Sequence, residues 1–91
     1  MTITIAGIPF DHHHYDERGD VLYLNVGKPR PAAKGLETED GHAVHYDENG
    51  AVIGLTLLNV RRTLDRDGAL VLTLPPEHLA ADALKPILAA A

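Results

Sequence analysis

Six histidines in a chain of 91 residues are the first side chains that suggest chemistry, and three are consecutive: His12-His13-His14, with His42 and His45 further on. Neutral imidazole is the commonest side-chain metal ligand. On an extended strand His12 and His14 point to one face, so two ligands can converge, and His45 is the further candidate. His42 and His45 stand three apart, a spacing that on a strand sends them to opposite faces. No His-Glu-x-x-His pattern occurs, so any third or fourth metal ligand has to come from tertiary proximity. The competing reading is a solvated edge strand rich in polar residues. His78 is predicted to sit in the first turn of a helix, on the surface.

The nucleophile inventory is short. The sequence contains no Ser and no Cys, which removes the two commonest covalent nucleophiles and the ordinary hydrolase triads. Glycines stand singly after acidic residues, and neither a phosphate-cradling loop nor a dinucleotide fingerprint is present. Asp65-Arg66-Asp67-Gly68 has the opening of a calcium loop but lacks the further acidic ligands, so turn formation explains it better. Asp16, Asp20 and Asp47 could pair as general acid and base, although turn capping already accounts for Asp16 and Asp47. Arg61, Arg62 and Arg66 form the only basic cluster and read as a solvated bend in preference to an anion site. No catalytic or cofactor-binding residue emerges, no cofactor is implied, and a non-enzymatic role is favoured.

The elements that must position these residues are signalled by an internal echo. His14-Tyr15-Asp16-Glu17-Arg18-Gly19 returns as His45-Tyr46-Asp47-Glu48-Asn49-Gly50, and Asp65-Arg66-Asp67-Gly68 repeats the turn core. Asp three residues before Gly suits a type I turn closed by a left-handed glycine, the turn of a bulged hairpin. Alternation then predicts strands at Thr2 to Ile5, His12 to Tyr15, Val21 to Val26, Leu36 to Glu39, His42 to Tyr46, Val52 to Leu58 and Ala69 to Leu74. Gly27 to Ala33, with Pro29 and Pro31, reads as a surface loop. After Pro75 and Pro76 a helical spacing begins, in which Pro86 predicts either a kink or a second short helix capped by Asp82. The expected fold is α+β and mostly β: an antiparallel meander of three turn-linked hairpins with one C-terminal helix packed on the sheet.

Length and composition bound the rest. A chain this short supports one core, so residues 1-91 read as a single domain. The apolar fraction of 45% and charged fraction of 23% are those of an ordinary globular protein. No apolar run approaches the length of a membrane span and no basic-then-apolar leader opens the chain, so a soluble, unexported, cytoplasmic protein is expected. A net charge of -5 disfavours nucleic acid as a partner and suits a basic protein. The strand Val52 to Leu58 is apolar on both faces, and the strand Ala69 to Leu74 repeats the problem, so a homodimer is expected, through the second sheet face or by strand pairing at an edge.

At Tyr15-Asp16, Asp20, Leu22-Tyr23-Leu24, Val44, Tyr46-Asp47, Gly50, Val52-Ile53-Gly54-Leu55 and Leu57-Leu58, the chain resembles the small bacterial domain of unknown function 2283 family, over about residues 12-64. The resemblance implies a compact β-domain with no assigned activity. Because some relatives stand beside small toxin-like proteins, it also makes an antitoxin-like binding role conceivable. The histidines before Tyr15 and Tyr46, and the C-terminal strand and helix at 69-90, depart from the pattern. Two functions from different classes follow: a non-enzymatic interaction module, and a His-dependent metal-binding protein or metalloenzyme using His12, His14 and His45.

Overall fold

The computed structural model describes residues 2–89. They form a small α+β protein, mostly antiparallel β, with a helix at the C-terminal end. Its centre is a five-stranded sheet built from β3 (His12–Asp16), β4 (Val21–Asn25), β5 (Lys34–Glu37), β6 (Ala43–Tyr46) and β7 (Val52–Leu58). The strand order is β3-β4-β7-β6-β5, every pair antiparallel. The long return from β4 to β5 carries the Pro29 and Pro31 loop, as the punctuation there predicts. It lets the most apolar strand, β7, take the central position.

One face of this sheet is covered. Alternation sends Tyr15, Leu22, Leu24, Val44, Leu55 and Leu57 to that side, and all are buried. The cover is made by two small hairpins, β1 (Ile3–Ile5) with β2 (Ile8–Phe10) and β8 (Ala69–Thr73) with β9 (Pro76–Ala80), and by the helices α1 (Val60–Asp67) and α2 (Ala81–Ala89). Ile3, Ile5, Phe10, Val60, Leu64, Leu70, Leu72, Leu79, Leu84, Ile87 and Leu88 join the sheet residues in one hydrophobic cluster. Burying each such side chain is worth roughly 1.5–3 kcal/mol. Much of the apolar surface that makes a dimer attractive from sequence is therefore covered within one chain.

Several sequence expectations need correction. The third copy of the turn is the end of a helix: α1 runs to Asp67, and Gly68 is its left-handed cap at φ 75, donating its N–H to the Leu64 carbonyl. An αR-αR-αL path closes a hairpin and ends a helix alike, so the turn core alone does not distinguish them. In the first copy the left-handed residue is Asp20 at φ 57, one position beyond Gly19; the second copy behaves as predicted, with Gly50 at φ 81. The strand expected at Leu36 to Glu39 begins and ends earlier, at Lys34–Glu37, because Thr38 to Gly41 form the turn into β6. His78 lies on β9, not in a helix, and α2 starts only at Ala81. Pro86 is accommodated inside that nine-residue helix, with Asp82 in its first turn.

Candidate functional site

The uncovered face of the five-stranded sheet is polar. Pairing places Asp16 beside Val21 and Leu58, His14 beside Tyr23 and Thr56, and His12 beside Asn25 and Gly54, with His45 completing the last row. Thus His12, His14 and His45 all share one face, as alternation predicts for the first two. They do not converge. Two strands, β4 and β7, separate β3 from β6, so at about 4.8 Å per strand His12 and His45 stand about 14 Å apart in the backbone. Among the described residues no three His, Cys, Asp or Glu side chains are placed to hold one metal ion. His14 instead stacks on Tyr23, ring centroids 6.1 Å apart, and His12 Nδ1 lies 3.1 Å from Asp11 Oδ1.

A depression opens on this face over Gly54. A Cβ built there would meet Asn25 Nδ2 at 3.0 Å, the Leu24 carbonyl at 3.2 Å and the His45 ring at 3.4 Å, so only glycine lets those side chains close over the strand. The resulting cleft, about 320 Å³, is lined by Tyr23, Asn25, His45, Ile53, Leu55 and Thr56 with Arg30 and Ala32 from the proline loop. His45 Nε2 and Thr56 Oγ1 are hydrogen-bonded at 2.9 Å. That is the geometry of a hydroxyl beside a base. It lacks the third member of a triad, since among the described residues no carboxylate pairs with the other nitrogen of His45.

The carboxylates read as acid and base serve the backbone. Asp47 Oδ1 accepts from the Asn49 and Ala51 N–H groups, each at 2.9 Å, and Asp16 Oδ1 accepts from the Arg18 N–H. Asp20 has a role that sequence reasoning missed. Asn59, before α1, makes no side-chain cap, and the Asp20 carboxylate takes over, accepting from the Arg61 N–H at 2.8 Å and the Arg62 N–H at 3.1 Å. Its Oδ1 also accepts the Tyr15 hydroxyl at 2.7 Å. Partial burial pushes the Asp20 carboxyl up, but the Tyr15, Arg61 and Arg62 donors outweigh it and hold the group below the usual carboxylate range. Tyr15 responds in the opposite sense: burial, then the bond to Asp20, pushes its hydroxyl to about 12. Arg61 lies over the Tyr15 ring, 5.1 Å from its centroid. The expected solvated bend is thus the capped start of a helix.

His42 is the other residue that sequence reasoning set aside. It precedes β6 on the covered side, opposite in facing to His45, and is 6% exposed. Its Nδ1 accepts from the Leu58 N–H at 3.0 Å. Burial holds its pKa below the ordinary histidine value, against a smaller upward pull from Asp40. Only its place in the alternation, in step with Val44, marks it in sequence.

Fold and site together define a small antiparallel α+β domain with one face packed and the other polar and open. The chain belongs to the family described as protein of unknown function (DUF2283), which it matches over residues 13–61. That segment is the five-stranded sheet plus the first residues of α1, so the family pattern spans both Asp20 and the Arg61 N–H that it caps. No curated protein and no solved structure matches the chain.

Proposed function

We propose that the chain is a non-enzymatic interaction module that self-associates through β5. The carrying observation is that all four residues of this strand, Lys34 to Glu37, are exposed at an open edge of the central sheet. An open strand edge offers unpaired N–H and C=O groups to another strand. The Thr38 N–H donates to the His42 carbonyl at 2.7 Å, which sets the phase of the β5–β6 ladder. Bonded and unbonded pairs alternate along an antiparallel ladder, so the backbone groups of Gly35 and Glu37 are the ones facing outward. A two-fold axis perpendicular to the sheet then pairs Gly35 with Glu37 of a second copy, and the reverse. Leu36, 42% exposed, meets its own counterpart on the covered side.

The polar character of the open face supports edge pairing over a face-to-face dimer. Four residues per copy bury well under the ~1,600 Å² of a standard interface, so the association is weak and concentration-dependent. Light scattering across a dilution series tests it. A mass rising toward two chains at high concentration, and held at one by Leu36→Lys, is the expected result. One chain's mass throughout, or a dimer indifferent to Leu36→Lys, would overturn the reading.

A further inference from the structure

A groove of about 550 Å³ lies where α1, β8 and the turn between β5 and β6 approach the end of β7. His42 is at its floor. Because the Leu58 N–H occupies Nδ1, the neutral ring carries its proton on Nε2. That Nε2–H finds no acceptor among the described residues, yet it is not among the atoms sealed from solvent, so it opens into the groove that His42 lines. A ring more than nine-tenths buried thus presents an unused donor to a cavity.

The walls narrow the choice of ligand. Leu58 and Val71 line the groove and are 36% and 58% exposed, an apolar surface left in water. Of the two arginines there, Arg66 is held by Asp67 in a bidentate pair, both contacts at 2.9 Å. Arg62 forms no ion pair among the described residues. Asp40 also lines the groove and accepts from the Thr73 hydroxyl at 3.2 Å. The arginines and aspartates balance, and the histidine donor is neutral. Such a lining, with one arginine unpaired among the described residues, compensates a single negative charge but not the extra charge of a phosphate.

We propose that this groove binds a monocarboxylate bearing a short apolar chain, its oxygens held by Arg62 and the His42 Nε2–H and its hydrocarbon laid on Leu58 and Val71. The carboxylate belongs either to a small organic acid or to the C-terminus of a peptide. None of the residues that would hold it belongs to β5.

The test is an NMR titration of the full-length, isotope-labelled chain near pH 7, once with sodium hexanoate and once with the peptide Ala-Ala-Ala-Leu. Saturable shifts at the Leu58 amide and at His42 Nε2 are expected with at least one of the two. Hexanoate alone identifies a small acid as the ligand, the peptide alone a chain terminus. Arg62→Gln, on an exposed side chain, is expected to weaken binding by ~5-fold or more through loss of a charge-assisted bond. No saturable shift with either probe into the tens of millimolar would overturn the proposal. So would unchanged affinity in Arg62→Gln, or equal binding of hexanamide and the amidated peptide.

Discussion

Asp20 combines a left-handed backbone at φ 57 with a carboxylate that takes three hydrogen bonds. Replacing it by Ala removes the cap of α1 and leaves the Tyr15 hydroxyl without its acceptor, at an expected cost of ~2 kcal/mol in urea denaturation. The pH dependence follows from the direction of each shift. The folded Asp20 carboxyl lies below its usual 3.8, so its stabilisation is complete above that value and is lost as pH falls through the folded pKa. Asp20→Asn should flatten this acid limb; an unchanged acid profile would contradict the cap. Tyr15 acts at the other end. Its hydroxyl is raised from 10.0 to about 12, so stability is complete below pH 10 and declines as pH rises toward 12, a decline that Tyr15→Phe should abolish. Of these roles the sequence shows only the turn propensity of an Asp near a Gly, because the Arg61 amide is 41 positions away.

At the scale of elements, the three Asp-to-Gly turn copies become three different structures, and substitution can tell them apart. Gly50 and Gly68 are left-handed with open space around the missing Cβ, so Gly50→Ala and Gly68→Ala are each expected to cost ~1–2 kcal/mol from backbone strain alone. Gly19 has no such φ; a Cβ there meets the movable end of Asp16 at 3.0 Å and the Val21 Cγ2 at an ordinary 3.4 Å. Gly19→Ala should therefore stay within ~0.5 kcal/mol of the parent, because reduced unfolded-state freedom offsets the contact. Equal losses at all three positions in thermal or urea melts would refute the assignment. Strands β3 and β4 are legible because the turn Asp16 to Asp20 brackets them, and β7 because it is a seven-residue run rich in Val, Ile and Leu. Strand β2 is not, since its period-2 signal spans only three residues, and β9 is not, since Pro75-Pro76 followed by Ala, Leu and Glu reads as a helix start. Helix α1 was hidden because only Val60 and Leu64 carry its buried face, and because it starts with a borrowed cap.

For the whole molecule, self-association has a local signature beyond mass. If β5 pairs with a second copy, the Gly35 and Glu37 amides should gain hydrogen-exchange protection as concentration rises, while Leu36, already turned toward β6, should not. Uniform protection along β5, or none, would speak against the proposed register. The metal-site candidates illustrate what the sequence can and cannot carry at this scale. Period-2 alternation correctly put His12 and His14 on one face, but the distance to His45 depends on the strand order β3-β4-β7-β6-β5, which no local pattern encodes. The same order also governs when the chain can assemble. Helix α1 takes its N-terminal acceptor from the β3–β4 hairpin, so its first turn is completed only after β4 has docked along β7 and brought Asp20 within reach. A helix is usually the fast, local part of a fold; this one waits for the slowest, most distant pairing. Losing the Asp20 carboxylate should then accelerate unfolding and leave the folding rate nearly unchanged, so that the chain's lifetime in the native state, more than its speed of reaching it, is what a single turn residue controls.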